Sequence, residues 1–466
     1  MFKINEVNPK KPPVLDPGFR TIALENREFL KAVKDSGKGV PIAIAVEREK
    51  SQVFVYRTEV FADGAGMDEY NFKYIERLIK TLLWLMGGWK VTIGGSPVIG
   101  QYIKKAYATG GIREFDFKFM SRVYEKEFTV EITGYDQVPK EYEYAEPAGR
   151  NLDGYRIGFD AGGSDRKVAA VAGGEVVFSE EVVWHPKTQS DPEYHHREIL
   201  AALKSAAAHL PRVDAIGVSS AGIYVNNRTM VASLFIKVPD DLFDQKIKNI
   251  YTSMGQEFGN IPVEVRNDGD VTALAGAMSL NDTNILGIAM GTSEAAGYVN
   301  KDGNITGWLN ELAFVPVDYN PQAAVCEWSG DYGCGVKYFS QDAVIKLASV
   351  ANIDLKADLT PAEKLKVVQK LMDENDPRAV KIYESIGSYL GYSIAYYADF
   401  YDIKHLLILG RVTSGEGGNI ILKVAEEILK VEFPELAGKI QIHLPDESNR
   451  RVGQAIAAAS LPVIKK

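Results

Sequence analysis

The chain has 466 residues, a length that suits two or three domains rather than one. Apolar residues make up 46% and charged residues 25%, which is normal for a soluble globular protein with a sizeable core. The net charge of −9 and the nearly balanced charges of residues 1–150 give no reason to expect a nucleic-acid or membrane partner. The two cysteines, Cys326 and Cys334, exclude a disulfide framework and favour a reducing compartment.

The N-terminal stretch MFKINEVNPKKPPVLDPGF contains no apolar segment of the kind that secretory signals carry. Residues 1–19 are rich in proline and lysine and indicate an extended arm. The longest apolar runs, LLWLM at 82–86 and HLLILG at 405–410, are far too short to span a bilayer. The expectation is therefore a cytoplasmic protein.

Residues 41–61 contain two β-like runs, PIAIAVE and QVFVYRTEVF, and a helix is predicted over about 70–87 with a glycine stop. VTIGG at 91–95 predicts a strand and VIGQYIKKAYA a short helix. EFDFKFM and YEKEFTVEITG have the alternation of paired strands. The polar, aperiodic segment PKEYEYAEPAGRN, residues 139–151, indicates a linker.

Residues 155–184 predict a β-hairpin around a glycine turn, followed by a helix at 195–210 and a buried strand at 214–222. IPVEVRNDGD is a strand that runs into a turn, VTALAGAM a small-residue helix, and NILGIAMGTSEAAGYVNKDGNI a second hairpin. After residue 340 the pattern is mainly helical, with strands at HLLILGRV and IQIHLP, a helix over 416–431 and a last helix at VGQAIAAASLP. Strands that alternate with helices favour an α/β fold.

One order of predicted elements occurs twice in the sequence. The order strand, helix, strand ending in small residues recurs in 41–97 and in 155–222. The first segment is thus open to interpretation as a degenerate copy of the second that lacks a glycine turn. Two unrelated α/β pieces explain the same pattern, and this is the favoured interpretation.

The first segment whose residues suit ligand binding is the turn Asp160-Ala-Gly-Gly-Ser164. Glycines allow the backbone to approach a ligand closely, and successive N–H groups with a hydroxyl group form an anion-binding nest. Asp160, at the end of its strand, is suited to hold a magnesium ion through water, since hard cations prefer oxygen ligands. A simple turn between paired strands is the alternative.

Two further segments repeat this pairing of a strand end with polar groups. MGTSEAAGYV, residues 290–299, is a second strand–glycine–hydroxyl–strand hairpin. Arg266-Asn267-Asp268-Gly269-Asp270 joins an apolar strand to a helix. Its aspartates are open to two interpretations: at least one of Asp268 and Asp270 caps the helix, or a general base lies at the strand end with Asn267 on a substrate hydroxyl.

The last two segments contain residues that suit a polyhydroxylated ligand and a nucleotide. Asn310-Glu311 lies in a loop with Trp308, and a carboxylate beside an amide and an aromatic ring suits a polyhydroxylated ligand. ILGRVTSGEGG, residues 408–418, is a strand, a glycine-rich turn and a helix, a common place for a nucleotide base or ribose. An exposed loop acid and an ordinary helix start are the alternatives.

In this order, the five segments resemble sugar kinases of the actin/hexokinase superfamily, and most closely the ROK group (repressor, open reading frame, kinase). The resemblance covers about 155–466. It implies two ribonuclease-H-like α/β lobes, 151–265 and 266–466, with a central cleft, the C-terminal helix packing back on the first lobe. Residues 1–150 form an additional α/β domain of unknown role, in which nothing resembles the winged helix-turn-helix of ROK repressors.

The resemblance also implies roles for single residues. Asp268 aligns with the general base that takes the proton from the attacking sugar hydroxyl, and such a base contributes about 10²–10⁴-fold in rate. Two glycine turns facing each other across the cleft would hold the ATP phosphates. The residues concerned are Asp160, Gly162, Gly163 and Ser164 in one turn and Gly291, Thr292 and Ser293 in the other. Asn267, Asn310 and Glu311 would bind sugar hydroxyls, Gly410 and Arg411 would lie at the adenosine, and Asp160 would hold Mg²⁺ through water.

The chain departs from the ROK pattern at the zinc site. ROK kinases usually carry zinc on one histidine and three cysteines near a GxxGC run. Here Phe314 stands at the histidine position. Gly330-Asp-Tyr-Gly-Cys334 keeps the GxxGC run, but Cys326 is the only other cysteine in the sequence. Two thiolates cannot complete a four-ligand site. We therefore expect no zinc, and apolar packing by Phe314, Trp328 and Tyr332 in its place.

Three departures concern ATP: Asp165 follows the first turn, Glu294 replaces a residue that is often glycine in the second, and Arg411 replaces a glycine in the adenosine turn. Acids near a triphosphate repel it unless they point away. The expected function is an ATP- and magnesium-dependent kinase of a hexose-like sugar, with a homodimer expected by resemblance. The alternative is a non-catalytic sugar- or nucleotide-binding regulator on the same fold. The sugar, the phosphorylated hydroxyl and the role of 1–150 cannot be derived from the sequence.

Overall fold

The computed structural model describes residues 4–145, 149–445 and 447–464. The strands in these ranges are β1 (Gly39–Glu47), β2 (Val53–Phe61), β3 (Lys90–Gly94), β4 (Thr129–Thr133), β5 (Tyr155–Ala161), β6 (Asp165–Ala172), β7 (Glu175–Val183), β8 (Ala215–Ser220), β9 (Ile223–Val225), β10 (Arg228–Val231), β11 (Val263–Asn267), β12 (Ile285–Met290), β13 (Glu294–Val299), β14 (His405–Leu409) and β15 (Gln441–His443).

The helices in the same ranges are α1 (Ile22–Asp35), α2 (Asp68–Met86), α3 (Pro97–Ala106), α4 (Glu114–Tyr124), α5 (Pro192–Ala207), α6 (Asp240–Leu242), α7 (Ile250–Glu257), α8 (Asp268–Leu280), α9 (Gln341–Val350), α10 (Pro361–Asp373), α11 (Pro377–Tyr397), α12 (Glu416–Glu432), α13 (Pro434–Ala437) and α14 (Glu447–Ala459). The chain is thus a mixed α/β protein, as predicted. No helix in the described ranges is long and apolar enough to cross a membrane.

The chain divides into two compact units, and neither is one continuous segment. The first unit comprises Met1–Tyr144, Ile288–Ala295 and Trp308–Leu444, and the second comprises Ala145–Gly287, Ala296–Gly307 and Pro445–Lys466. The N-terminal α/β region therefore shares a unit with most of the C-terminal segment. The lobe boundaries expected after residues 150 and 265 refer to the fold that the chain resembles, and they stay predictions.

The N-terminal region contains a four-stranded sheet in the order β2-β1-β3-β4. β1 is antiparallel to β2 and β3, and β3 is parallel to β4. Ile42 through Val46 of β1 are fully buried, as expected for a central strand with an apolar run. The predicted strands of 41–61 and 91–95 and the helices at 70–87 and after Val98 are all confirmed.

The predicted strand EFDFKFM is wrong, because it forms α4. Phe115 and Phe119, four residues apart on one helix face, pack on the buried Trp84 of α2 with ring centroids 6.1 and 4.8 Å away. Asp116 lies between them in sequence and accepts a hydrogen bond from Trp84 Nε1 at 2.6 Å. These contacts favour helical spacing over the two-residue alternation of the sequence.

The second unit contains a five-stranded sheet in the order β11-β8-β5-β6-β7. β5 pairs antiparallel with β6 and parallel with β8, so the predicted hairpin at 155–184 is confirmed. α14 packs on β5 and β8. A Cβ atom on Gly217 would lie 1.7 Å from the carbonyl oxygen of Ala458, so this helix approaches the strand where only glycine fits.

A further sheet has the order β13-β12-β14-β15. β14 is buried along its whole length, in agreement with the predicted strand at HLLILGRV. Beside it, α11 and α12 pack against each other. α12 confirms the helix predicted over 416–431.

The N-terminal arm has neither helix nor strand between residues 4 and 19, as predicted. It is held to α11: Leu15 N donates to Ser385 Oγ at 3.1 Å, and Tyr389 OH donates to Asp16 Oδ2 at 2.5 Å. The predicted linker also has one ordered contact, since Tyr142 and Val53 exchange backbone hydrogen bonds of 2.9 and 2.8 Å. Residues 1–3 of the arm and 146–148 of the linker lie outside the described ranges.

Candidate active site

The first glycine turn joins β5 to β6 in the second unit. Ala161 pairs with Arg166, so Gly162, Gly163 and Ser164 lie beyond the ends of the two strands. Trp184 holds this turn from one side: its Nε1 donates to Gly162 O at 2.8 Å, and its backbone N donates to Ser164 O at 3.2 Å. Neither glycine has a positive φ. The turn is therefore a hairpin bend whose shape is fixed by a buried tryptophan.

Asp160 lies at the end of β5, and its neighbours on both adjacent strands contact its carboxylate. Ser219, its partner on β8, donates from Oγ to Oδ1 at 2.9 Å. Lys167, its partner on β6, places Nζ 3.9 Å from Oδ2. The same Nζ lies 3.1 Å from Asp165 Oδ1. The lysine thus offsets the charge of Asp165, the first of the acids that would repel a triphosphate.

Asp268 is the first residue of α8 and follows β11 directly. Ala161 of β5 and Asn267 of β11 are both in register with Ser220 of β8, so these parallel strands end at one edge of the sheet. Burial, and after it the nearby Asp160 carboxylate, raise the pKa of Asp268 to about 6. A carboxyl group with this pKa can exchange a proton near neutral pH.

The capping prediction for Asp268 and Asp270 is wrong, because Asn267 caps α8. Its Oδ1 accepts from Gly269 N at 2.7 Å, and its Nδ2 donates to Gly222 O at 2.8 Å. Gly269 N also donates to Asp268 Oδ1 at 3.1 Å. Within the described part of the chain Asn267 keeps one N–H and one lone pair for a ligand, since an amide offers two donors and two acceptor sites.

The carboxylate of Asp160 fits a magnesium ion that also binds water and substrate phosphates. Among the described residues, no group of three or more His, Cys, Asp or Glu side chains could hold a metal ion. Magnesium does not need such a group, because it keeps several waters and binds one or two carboxylates together with substrate phosphates. Asp160, at the end of β5, offers such a carboxylate in the second unit.

The second glycine turn joins β12 to β13 in the first unit. Gly291 N donates to Ser293 O at 2.9 Å, and Gly291 O accepts from Gln341 N at the start of α9, also at 2.9 Å. The side chains of Thr292 and Ser293 are exposed. The turn therefore offers two hydroxyl groups from a bend that is tied to a helix N-terminus.

The turn after β14 contacts this second glycine turn. Gly410 has φ +104°, and a Cβ atom there would lie 2.4 Å from Met290 O, directly before Gly291. Only glycine combines this φ with so close an approach. The Arg411 side chain is exposed, and its carbonyl accepts from Gln369 Nε2 at 2.7 Å. The first unit thus brings together the predicted phosphate and adenosine segments.

Glu294, the second acid of concern, is 3% exposed at the start of β13. Neither of its carboxyl oxygens has a hydrogen-bond partner among the described residues. Burial, and after it the Glu311 carboxylate, hold the pKa of Glu294 well above its usual range. Its surroundings therefore oppose the charged form of this carboxyl group.

The Asn310–Glu311 loop is held by the end of α2 and by Tyr401. Asn310 N donates to Leu85 O and Glu311 N to Trp84 O, both at 2.9 Å. Tyr401 OH donates to Asn310 Oδ1 at 2.9 Å. Asn310 is 1% exposed and has φ +52°, so its amide is part of the loop's own support. The N-terminal region thus supports the loop for which sugar binding was predicted.

The residues at the expected zinc position do not fit a four-ligand zinc site. Both cysteines are free thiols, and a hydrogen bond from Cys334 lowers the pKa of Cys326 to about 5. Asp331, within the GxxGC run, accepts from Arg77 and Arg113 instead. The expected absence of zinc stays a prediction.

Apolar packing at this position is only partly as predicted. Phe314 stacks on Trp84 with ring centroids 4.1 Å apart, and the Arg77 guanidinium lies 4.0 Å above the Tyr332 ring. Trp328 is 58% exposed, so the prediction that it fills the core is wrong.

Two lysines near the first turn were missed by the sequence interpretation. Lys167 follows Asp165 by two residues on β6, so their side chains share a face of the sheet. This two-residue spacing is a sequence signal from which the role of Lys167 could have been predicted. Lys187 lies in the loop after β7, and its Nζ is 3.1 Å from the position that a Cβ on Gly163 would take. No local pattern indicates this approach.

Comparisons with known proteins give a protein family and several solved structures that are similar to this chain. The model of the ROK family matches residues 156–455. A ROK family glucokinase from Streptomyces griseus, solved with glucose and AMPPNP, is 20% identical with a TM-score of 0.50, covering 66% of this chain and 99% of that one. A ROK hexokinase from Thermus thermophilus is 17% identical with a TM-score of 0.50, covering 65% and 97%.

A ROK family transcriptional regulator, a homologue of the Escherichia coli MLC protein, is 20% identical with a TM-score of 0.51, covering 66% of this chain and 79% of that one. At these identities the structural likeness shows the fold alone. The search of curated proteins found no match. The family match covers well over half of the chain, from the strand before the first glycine turn to the last helix. The chain therefore belongs to the ROK family.

Proposed function

We propose that this protein is an ATP-dependent sugar kinase in which Asp268 is the general base. The observation that carries the proposal is the position of Asp268 directly after β11, at the sheet edge where β5 ends beside the first glycine turn. Burial, and after it the Asp160 carboxylate, raise the pKa of Asp268 to about 6. A base works best when its pKa lies near the operating pH, because it is then both ionised and basic enough to take a proton. Asp268 would take the proton from the sugar hydroxyl that attacks the γ-phosphorus of ATP.

The residues of the two glycine turns are the proposed phosphate contacts. They offer backbone N–H groups and the hydroxyls of Ser164, Thr292 and Ser293, the kind of donors that bind phosphate oxygens. The two acids beside the turns do not argue against this assignment. Lys167 lies 3.1 Å from Asp165, and burial raises the pKa of Glu294 well above its usual range. Mg²⁺, held by Asp160 through water, would neutralise phosphate charge during the transfer.

Asn267 and Glu311 are the proposed contacts of the sugar. The N–H and lone pair that Asn267 keeps within the described chain suit hydroxyl groups, which both donate and accept. Asn310, the third residue for which sugar binding was predicted, is 1% exposed and its Oδ1 accepts from Tyr401, so its proposed role is to hold the loop that carries Glu311. Gly410 and Arg411 are the proposed contacts of the adenosine. There the exposed guanidinium of Arg411 is free of any tight ion pair in the described chain and can stack on a base.

The test is an assay that couples ADP release to a spectroscopic signal over a panel of hexoses and their derivatives. We expect turnover with at least one sugar and a loss of about 10²–10⁴-fold in kcat for Asp268→Asn. Asp302→Asn, an exposed aspartate in the turn after β13, is the matched control and should keep wild-type activity.

A non-catalytic sugar- or nucleotide-binding regulator is the second candidate. Arg411 in place of a glycine favours it, and the similar structures include a ROK transcriptional regulator as well as kinases. If no sugar supports turnover while a sugar still raises the melting temperature, the kinase proposal fails and this one gains. A ligand at 100 times its Kd stabilises the folded state by about 2.7 kcal/mol, which such a measurement detects.

A further inference from the structure

Lys187 lies beside the first glycine turn, in the short loop that follows β7. Its Cε and Nζ are 3.0 and 3.1 Å from the position that a Cβ atom on Gly163 would take, so the end of the side chain packs on this glycine. Both residues are exposed, and both belong to the second unit. The lysine side chain thus contacts the turn and is still open to solvent.

The loop that carries Lys187 is anchored to the turn by its neighbours. Trp184, three residues earlier, is 1% exposed and donates hydrogen bonds to Gly162 O at 2.8 Å and to Ser164 O at 3.2 Å. Pro186, directly before the lysine, is buried as the first residue of a single 3-10 turn. The place of Lys187 beside the turn is therefore set by buried neighbours and not by its own charge.

The backbone of the turn offers hydrogen-bond donors. Within the described ranges, the N–H groups of Gly162, Gly163 and Ser164 have no acceptor. Two of the three carbonyl oxygens already accept from Trp184. Successive N–H groups of this kind form a site for an anion, and an ammonium group beside them adds a full positive charge.

The ammonium group of Lys187 has no partner in the part of the chain that the structure describes, neither an acid nor a hydrogen-bond acceptor. Lys167, the other lysine near the turn, is engaged: its Nζ lies 3.9 Å from Asp160 and 3.1 Å from Asp165. The charge of Lys187 is therefore left for a ligand to compensate, and a phosphate oxygen supplies the missing acceptor.

We propose that Lys187 binds a phosphate oxygen of the nucleotide at the first glycine turn. Its ammonium group joins the N–H groups of Gly162, Gly163 and Ser164 around the same phosphate, as a point charge on a flexible stem. This assignment rests on the proposed function in one respect, because it takes ATP as the ligand of the turn. It adds a phosphate-binding residue from a different loop.

The test is isothermal titration of the full chain with the ATP analogue AMPPNP and Mg²⁺. Lys187→Met should weaken binding at least about tenfold, because a hydrogen bond to a charged group is lost. Lys187→Arg keeps the charge and should keep most of the affinity. Lys204→Met, on the exposed side of α5 in the same unit, is the matched control and should bind as the wild type does. The melting temperature of ligand-free Lys187→Met should equal that of the wild type, since the side chain is exposed.

The kinase assay supplies a second readout and separates this inference from the proposed function. Lys187→Met should raise the KM for ATP about tenfold and leave the KM for the sugar unchanged. If the wild type binds AMPPNP but phosphorylates no sugar, the kinase proposal fails. Weaker binding of AMPPNP to Lys187→Met than to Lys204→Met would then still support the phosphate contact.

Two results would overturn the inference. One is equal affinity of Lys187→Met and Lys204→Met for AMPPNP, which would show that the lysine contacts no phosphate even if the protein is a kinase. The other is no detectable binding of AMPPNP to the wild type up to about 10 mM, which would remove the nucleotide from this turn.

Discussion

Arg77 Nη1 on α2 donates to Asp331 Oδ2 at 2.7 Å, although 254 residues separate the two in the sequence. Lys80 and Arg113 approach the same oxygen at 2.9 and 2.7 Å. Burial opposes the charge of Asp331, but the three cations outweigh it and hold the pKa of Asp331 well below its usual range. The N-terminal helices thus bind the GxxGC run of the ROK region by a buried ionic cluster.

Replacement of Asp331 by asparagine should strongly destabilise the protein. The substitution removes the anion shared by two arginines and the fully buried Lys80, and leaves these cations only Glu76 and Asp116 as partners. Breaking a buried ion pair in this way costs about 3–5 kcal/mol. Urea unfolding followed by tryptophan fluorescence measures the change. Asp354→Asn, an exposed acid in the loop after α9, should leave the midpoint unchanged. Equal midpoints for both variants would show that the cluster contributes no net stability.

The pH dependence of the proposed kinase should report Asp268. Its pKa is about 6, and only the ionised form accepts a proton, so kcat/KM should fall about tenfold per pH unit below pH 6. The assay is the same ADP-release measurement between pH 4.5 and 8.5. Asp302→Asn should keep this profile. An acid limb that persists in the residual activity of Asp268→Asn would assign the titration to another group.

The buried carboxylate of Asp268 should also lower the free energy of unfolding at neutral pH. Its pKa is higher in the folded protein, about 6, than the ordinary 3.8, so the folded state binds more protons between these values and loses stability as pH rises through them. Asp268→Asn should therefore raise the unfolding free energy by about 1–3 kcal/mol at pH 7.5. The gain should shrink as the pH falls and vanish near pH 3, below both pKa values. A gain that is the same at both pH values would mean that the carboxyl charge is not its cause.

Gly217→Ala should separate α14 from the sheet of the second unit. The new Cβ would lie 1.7 Å from Ala458 O, and overpacking of this kind costs about 1–3 kcal/mol or more. Gly453→Ala, within α14 itself, is the matched control: its Cβ meets no atom closer than 3.9 Å, and helix propensity should add about 0.5–1 kcal/mol. Thermal unfolding of both variants measures the contrast. Similar melting temperatures would disprove the tight approach.

The glycine turns and Asp268 could be found from the sequence because each depends on neighbours in the chain. An apolar run that ends in glycines and a hydroxyl residue determines a hairpin whatever surrounds it, and β5–β6 has this form. The place of Asp268 after a buried strand is equally local. The assignment of α4 failed because the stacking of Phe115 and Phe119 on Trp84 comes from a helix that ends almost 30 residues earlier.

The sequence by itself determined the α/β class, the order of the polar strand ends and the family. The tertiary structure alone decided the surroundings of each charged group. Lys167 lies beside Asp165, burial disfavours the charged form of Glu294, and three cations surround Asp331. The reason is physical: periodicity and turn chemistry act over a few residues, whereas burial and ion pairing depend on groups that only folding brings within a few ångströms.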